Sequence, residues 1–440
     1  MRLSQLTLLC TPVLLAPLAI LVACTPDRRG GNNNHGNKDG GGQCQGLECD
    51  IDACTGQSPT SVSGRVMSPS GQHPVHDALV YVPKSVEAFS PTVACESCSE
   101  PAGGVPLVRT NTAVDGTFKL DGIPTGASVP LVIQKGRFRR QLTIKTTSCQ
   151  NVAVTDAQVR LPSTQSEGDL PKMAVGVGAY DQIECVLRSI GIAGAEFTDP
   201  NGSGAVHLFH NGAGSTSPYP PLEDLLGSPT ELEKYNVVFI NCTDHRWQDI
   251  VDKPGVAANI ADYVGKGGRL YVTDLSYDYI EQVNELAPYI YYYGGGSMTA
   301  PQGMGKAIGG FDISDINATV SDPTLASWLE AAGEANGDKI TVTDLAFGWA
   351  LIDSVSLESQ SWVHGQTNGA DRPLSVTFDY NACGRVLYSS YHTREPGGSD
   401  LYSVKPFPQY CQSSPTTMIA QEKILEYLIF HISSCVGPIG

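Results

Sequence analysis

Residues 236–243 read NVVFINCT and residues 269–274 read RLYVTD, and these two stretches indicate the fold class. Each has a short run of apolar residues that ends in a polar one, which is typical of a strand buried on both faces. Between them Val256, Ile260 and Val264 recur at helical spacing, and a glycine-rich segment ends the helix. Strand, helix and strand in this order predict a parallel sheet, in which ligands bind at the carboxyl ends of the strands.

The same alternation continues on both sides of these stretches. Residues 172–177 (KMAVGV) predict another buried strand, and Ile183, Val186, Leu187 and Ile190 follow at helical spacing. We therefore expect an α/β domain over residues 172–436 with a mostly parallel sheet that is covered on both sides. Further strands are predicted at Ile340–Val342, Leu374–Phe378 and Arg385–Ser389.

Residues 59–162 have a different pattern, with short alternating runs separated by turn sequences such as Asp115-Gly116 and Asp121-Gly122. About seven such runs predict a β-sandwich. Its basic side chains Lys135, Arg137, Arg139 and Arg140 predict internal or interdomain ion pairs in so acidic a protein. His73 and His76 flank Pro74, and we expect both to face water. Residues 163–171 are predicted to be a linker.

The N-terminus predicts an export signal. Residues 1–23 carry one charge, Arg2, before an apolar core broken by prolines, and Leu21-Val22-Ala23 precedes Cys24. This pattern resembles a bacterial lipobox, in which the Cys24 sulfur receives a diacylglyceryl group. The alternative is an ordinary secreted protein with Cys24 in a disulfide. Residues 24–43 predict a flexible Gly/Asn-rich tether, and residues 44–58 a small cysteine-rich collar, pinned by disulfides or, alternatively, by zinc.

Three resemblances follow from these segments. Residues 63–83 (SGRVMSPSGQHPVHDALVYVP) and 111–144 are similar to the carboxypeptidase regulatory-like, or transthyretin-like, sandwich. Residues 232–245, 258–281 and 373–392 look like the flavodoxin-like fold of class I glutamine amidotransferases and related trehalose-utilisation-type proteins. The chain after Cys24 further resembles bacterial surface lipoproteins that combine both modules. These resemblances imply a multidomain chain, a β-sandwich followed by a flavodoxin-like α/β domain. Thr25, in place of Asp after Cys24, resembles known sorting signals that favour the outer membrane of a Gram-negative bacterium over the inner membrane.

The charge balance excludes some partners. Twenty-eight lysines and arginines face 45 aspartates and glutamates, which gives a net charge of −17. Nucleic acid and anionic lipid are therefore poor partners, and the membrane is expected only as the site of the lipidated Cys24.

Cysteine usage predicts disulfides. Of thirteen cysteines, Cys10 lies in the signal and Cys24 carries the lipid, so an odd number is left for an oxidising compartment. Cys185 and Cys242 are predicted to pair, because an early helix and a neighbouring strand end bring them close. The unpaired thiol is then expected among Cys383, Cys411 and Cys435. Cys95-Glu96-Ser97-Cys98 has redox or half-zinc spacing, but its Pro/Ser-rich context favours a loop disulfide, either local or to Cys149 or the collar.

Two sets of residues are candidates for chemistry. The amidotransferase resemblance implies Cys242 as nucleophile and His392 as base, yet Cys242 lacks the flanking glycines of a nucleophile elbow. A second interpretation uses Asp244, His245 and Asp274, with Asp278 and His392, as metal ligands or as acid and base near strand ends. No known ligand spacing supports that interpretation, and no cofactor is predicted.

Two functions remain open from the sequence. The first is a lipid-anchored, non-catalytic envelope protein that binds a protein or a glycan through its α/β domain. The second is a degenerate or unorthodox hydrolase or amidotransferase relative that uses Cys242 and His392.

Overall fold

The computed structural model describes the chain from Cys44 to Ser434 with internal gaps, in the ranges 44–96, 104–178, 180–211, 218–243, 250–294, 306–310, 314–334, 336–343, 345, 348–393, 407–411, 414 and 416–434. The described residues from Gln45 onward belong to one compact unit. The expected signal peptide, Cys24, the tether up to residue 43, Cys98, Asp244, His245 and Cys435 lie outside the described residues.

The first part of the described chain consists of seven strands in two sheets. The strands are β1 Ser61–Arg65, β2 Leu79–Val86, β3 Gly104–Asn111, β4 Thr117–Asp121, β5 Val129–Lys135, β6 Phe138–Ile144 and β7 Asn151–Ala153. One sheet has the order β4-β1-β7 and the other the order β3-β2-β5-β6. Alternate residues of both sheets, such as Val62, Val80 and Leu131, are buried in one shared core, as the period-two pattern requires.

The rest of the chain forms a mixed α/β structure around a ten-stranded sheet. Its strands are β8 Met173–Val177, β9 Phe197–Thr198, β10 Val206–His210, β11 Val237–Ile240, β12 Arg269–Thr273, β15 Ile316–Val320, β16 Lys339–Val342, β19 Ser359–Thr367, β20 Ala370–Tyr380 and β21 Gly384–Ser389. Two short pairs are also present, β13 Ile290–Tyr292 with β18 Ile352–Val355 and β14 Ile308–Gly310 with β17 Trp349–Ala350.

The order of the large sheet is β16-β15-β19-β20-β21-β12-β11-β8-β10-β9. From β9 to β21 every neighbouring pair is parallel, whereas β20, β19, β15 and β16 are added antiparallel. The expectation of a mostly parallel sheet therefore fits only the part from β9 to β21. The hairpin β19–β20 and the strands beyond it form an antiparallel wing.

Helices cover both faces of the parallel part. They are α1 Ile183–Ile190, α2 Leu222–Leu226, α3 Pro229–Leu232, α4 Val256–Gly265, α5 Asp278–Glu281, α6 Pro323–Ala331 and α7 Ala420–Ile432. Residues of β11 alternate between the two faces of the sheet. Val237 and Phe239 are buried in one hydrophobic cluster, and Val238 and Ile240 are buried in a second one. Helices α1, α6 and α7 supply apolar residues to the first cluster, and α2 to α5 supply them to the second.

The two small sheets are not packed separately from the α/β part. Their buried residues belong to the same hydrophobic cluster as α1 and α7, and Phe138 of β6 contacts Phe430 of α7 with ring centroids 5.4 Å apart. Residues 163–171, predicted as a linker, are held against β6 by paired main-chain hydrogen bonds between Arg139 and Asp169. No helix among the described residues has the length and apolar character needed to cross a membrane.

Candidate functional site

Three residues that follow neighbouring parallel strands meet at the carboxyl edge of the large sheet. Cys242 follows β11, Asp274 directly follows β12, and His392 follows β21. Since β12 pairs in parallel with both β11 and β21, the three strand ends are adjacent. This is the edge at which open α/β sheets bind ligands.

The carboxylate of Asp274 lies at the centre of this cluster. Its Oδ2 atom is 3.3 Å from Cys242 Sγ and 2.8 Å from His392 Nε2. One ligand atom from each of the three side chains lies within 4.8 Å of the other two, and all three residues are at most 1% exposed. Among the residues that the structure describes, no other group of three His, Cys, Asp or Glu side chains converges in this way.

The backbone around Asp274 fixes its carboxylate. Asp274 has a φ of 41°, a left-handed conformation that Asp tolerates better than most residues. The main-chain N–H of Ala350 donates to Oδ1 over 2.6 Å, and the hydroxyl of Tyr388 donates to the main-chain oxygen of Asp274 over 3.1 Å. Residues of two strands, β17 and β21, thus hold Asp274 in place at the end of β12.

The electrostatics of the cluster keep the cysteine neutral. Burial, and next the nearby charge of Asp274, raise the pKa of the Cys242 thiol well above its ordinary value. A nucleophilic cysteine acts as a thiolate, and in a Cys–His–Asp triad the histidine lies between the other two residues. Here one carboxylate oxygen contacts both the thiol and the imidazole. This arrangement does not match an activated nucleophile.

Further buried polar groups line the same edge. Asp181 follows β8, and its Oδ1 accepts hydrogen bonds from the main-chain N–H and the hydroxyl of Thr393. Within the described residues, Asp181 Oδ2, Asn241 Oδ1 and Thr243 Oγ1 are buried without a hydrogen-bond partner. Buried polar atoms are normally paired, so the three atoms give this edge of the sheet a polar character.

Glu184 lies next to this edge, in the first turn of α1. Asn241 Nδ2 and the Tyr410 hydroxyl each donate to its carboxylate over 2.8 Å. Burial raises its pKa to about 7, although these hydrogen bonds oppose the shift.

The predicted Cys185–Cys242 disulfide is wrong. Cys185 is bonded to Cys411, with Cα atoms 5.2 Å apart, and Cys242 is a buried free thiol. The first turn of α1 packs against residues 407–411, where Tyr410 also reaches Glu184, while the sulfur of Cys242 contacts Asp274 instead. Because Cys383 is also bonded, neither Cys383 nor Cys411 is the odd cysteine.

The remaining cysteine predictions have mixed outcomes. Cys54 is bonded to Cys149, and Cys95 is bonded to Cys383 rather than to Cys149 or the collar. A local Cys95–Cys98 bridge is therefore also wrong. Cys44 and Cys49 of the expected collar are disulfide-bonded as well.

Three of the four basic side chains predicted to form ion pairs do so, while Arg140 Nη1 donates to the main-chain oxygen of Arg160. Lys135 pairs with Asp77 over 3.2 Å, Arg137 with Glu96 over 2.8 Å and Arg139 with Asp169 over 2.8 Å.

The expectation that His73 faces water is wrong. Its Nδ1 lies 2.6 Å from Glu426 Oε2 of α7 in the interior, and the histidine is 6% exposed. His73 and Glu426 are 353 residues apart in the chain, so no local sequence pattern predicts their contact.

A second candidate site is a groove between the 74–77 turn and the α/β part. It has a volume of about 270 Å³. Trp328, Trp362 and Tyr427 line its interior, and the more exposed side chains of Asp77, Asp322 and Gln360 line its rim. No local sequence pattern predicts this groove, because its walls come from several elements that are far apart in the chain.

Comparisons with known proteins give only remote likenesses. No family model matches the sequence, and no curated protein matches it. Among solved structures, the chain is similar to a cytoplasmic protein from Salmonella typhimurium at 15% identity and a TM-score of 0.30, covering 65% of this chain and 94% of that one.

Two further solved structures match with similarly low sequence identity and TM-score. A putative GMP synthase component from Thermoplasma acidophilum matches at 9% identity and a TM-score of 0.31, over 58% of this chain and 98% of that one. A putative ThuA-like protein from Parabacteroides merdae matches at 13% identity and a TM-score of 0.31, over 50% of this chain and 77% of that one. TM-scores near 0.3 do not support an assignment of fold or function.

Proposed function

We propose that this chain is a lipid-anchored envelope protein that binds a glycan without transforming it, through the groove between the 74–77 turn and the α/β part. We interpret the two small sheets as the transthyretin-like sandwich and the large sheet as a flavodoxin-like domain with an added antiparallel wing. The observation that carries the proposal is the groove itself, with its aromatic interior and polar rim.

The size of the groove favours a small polar ligand. Pockets for drug-sized ligands measure about 300–1,000 Å³, so a volume of about 270 Å³ suits a single ring or the end of a glycan chain. Trp328 and Trp362 form the floor of the groove and are only 1% and 2% exposed, so the polar contacts with a ligand come from the rim, where carboxylate and amide groups form hydrogen bonds with hydroxyls.

A protein partner has less support than a glycan. A stable protein interface buries about 800 Å² on each side and usually has an apolar centre. Across the described residues the exposed large hydrophobic side chains are Ile51, Val105 and Leu357, and they lie in three different segments. Nothing among them forms an apolar patch of that size.

The test is a titration of the folded protein with N-acetylglucosamine and with the disaccharide of N-acetylglucosamine and N-acetylmuramic acid. Saturable changes in tryptophan fluorescence are expected, because Trp328 and Trp362 line the groove. Gln360→Ala should weaken binding by about 3- to 10-fold, as expected for the loss of one hydrogen bond. Gln366→Ala is the matched control, since Gln366 is exposed on the same strand, β19, and does not line the groove. No saturable change with either sugar, or equal affinities for the two variants, would overturn the proposal.

The alternative function is a hydrolase or amidotransferase relative that uses Cys242 and His392. One observation favours it: the structure brings both residues to the same carboxylate, that of Asp274. Burial of the sulfur and its contact with that carboxylate weigh against it. Mass spectrometry of the titrated sugars separates the two functions, since cleavage that disappears in Cys242→Ser would support the enzyme.

A further inference from the structure

The cluster of Cys242, Asp274 and His392 has the chemical composition of a transition-metal site. A thiolate, an imidazole and a carboxylate are the three ligand types of protein zinc sites. A thiolate and a carboxylate carry two negative charges and a neutral imidazole none, so a divalent cation leaves the set neutral. That balance matters because all three side chains are buried, where uncompensated charge is costly.

The distances suit the convergence of three ligands on one ion. Zinc binds sulfur at about 2.3 Å and nitrogen or oxygen at about 2.0–2.1 Å, so tetrahedral ligands lie roughly 3.3–3.6 Å apart. Cys242 Sγ and Asp274 Oδ2 are 3.3 Å apart, and His392 Nε2 lies 2.8 Å from the same oxygen. All three atoms lie within 4.8 Å of one another. Movements of the three ligand atoms by less than about 1 Å, which side-chain rotation can provide, would therefore bring them to tetrahedral positions around one ion.

The surroundings of the cluster resemble the outer sphere of a metal site. Metal-binding carboxylates are usually held by further hydrogen bonds, and Ala350 N–H donates to the second oxygen of Asp274 over 2.6 Å. The main-chain N–H of Cys242 donates to Thr273 Oγ1 over 2.8 Å, which fixes the cysteine backbone. Thr243 Oγ1 and Asp181 Oδ2, buried at the same edge without a partner in the described chain, are polar atoms suited to a metal-bound water.

We infer that Cys242, Asp274 and His392 bind one divalent transition-metal ion of the zinc type, with a fourth position open to water or a small ligand. Binding replaces the thiol proton of Cys242, which is released to solvent, by the metal ion. The inference is independent of the groove, which is lined by other residues.

Cobalt titration of the intact protein tests this inference. The protein is treated with a chelator, without thiol reductants so that its disulfides persist, and then titrated with Co²⁺. One equivalent should bind with a thiolate-to-cobalt charge-transfer absorption, and Zn²⁺ should displace it. Cys242→Ser should abolish that absorption. Asp274→Asn and His392→Gln should weaken binding by more than the roughly 10- to 100-fold that loss of an outer-sphere partner costs.

His364→Gln is the matched control, because His364 contacts Asp371 on the antiparallel hairpin β19–β20 and lies outside the three-residue cluster. It should bind cobalt like the wild type. Should a cluster variant fail to fold, the wild type still decides the matter, since Zn²⁺ should raise its melting temperature and slow the alkylation of Cys242. Substoichiometric binding, or cobalt binding without the charge-transfer absorption, would refute the inference.

Discussion

Glu184 is a fully buried carboxyl group whose ionisation opposes folding. Its pKa is raised to about 7 in the folded protein, mainly by burial, from an ordinary value of 4.5. The folded state therefore binds more protons than the unfolded state between these two values. Since stability falls with rising pH wherever the folded state binds more protons, this group lowers the unfolding free energy as pH rises from about 4.5 to about 7.

Glu184→Gln should remove that penalty. Relative to the wild type, the variant should gain about 2 kcal/mol more stability at pH 8 than at pH 5. Urea unfolding at the two pH values measures the difference. Glu231→Gln, which removes the same charge from an exposed side chain paired with Lys234, serves as the control. If the wild type and Glu184→Gln have parallel pH profiles, Glu184 does not titrate as described.

At the scale of elements, two β-hairpins each have a two-residue turn that contains a glycine with a positive φ, and the two glycines have different surroundings. Gly136 between β5 and β6 has a φ of +56°, and Gly369 between β19 and β20 has a φ of +74°. A Cβ at Gly136 would lie 1.8 Å from the main-chain oxygen of Ser433 at the end of α7, whereas a Cβ at Gly369 meets nothing within 4 Å.

The two alanine variants should therefore differ. Gly369→Ala should cost about 1–2 kcal/mol, the usual penalty of a left-handed non-glycine residue. Gly136→Ala should cost at least about 2 kcal/mol more, because the hairpin or the end of α7 must also move. Thermal unfolding of both variants measures this. Equal melting temperatures would mean that the β5–β6 turn does not pack against α7.

Local patterns explain which elements the sequence could predict. Strands β8, β11, β12 and β21 are short apolar runs, and α1 and α4 have helical periodicity, so a short window is enough to recognise each one. The site residues Cys242, Asp274 and His392 were found separately because each follows such a strand. The contact of Cys242 and His392 with the Asp274 carboxylate depends on the order of the strands in the sheet. The Cys185–Cys411 disulfide joins residues that are 226 positions apart in the chain. Neither leaves a local signal.

At the scale of the whole molecule, we propose that anchoring depends on Cys24. Several acyl chains on one cysteine contribute about 0.8 kcal/mol per buried methylene, which makes release from a membrane negligible. Cys24→Ala should therefore yield protein that no longer sediments with membranes after a carbonate wash. Cys10→Ala, which changes a cysteine inside the expected signal peptide, should stay with the membrane. Retention of Cys24→Ala would disprove the anchor.

Helix α7, the last described helix, joins parts of the core that are far apart in the chain. Its Phe430 packs on Phe138, and its Glu426 meets His73 inside the protein, so the end of the chain completes the core of the beginning. During synthesis from the N-terminus, these early residues cannot make those contacts until α7 has been synthesised. We therefore expect the two small sheets to wait for α7 with one apolar side exposed. Cys54 and Cys149, both available early, can close their bridge during that wait, before Cys383 arrives to meet Cys95.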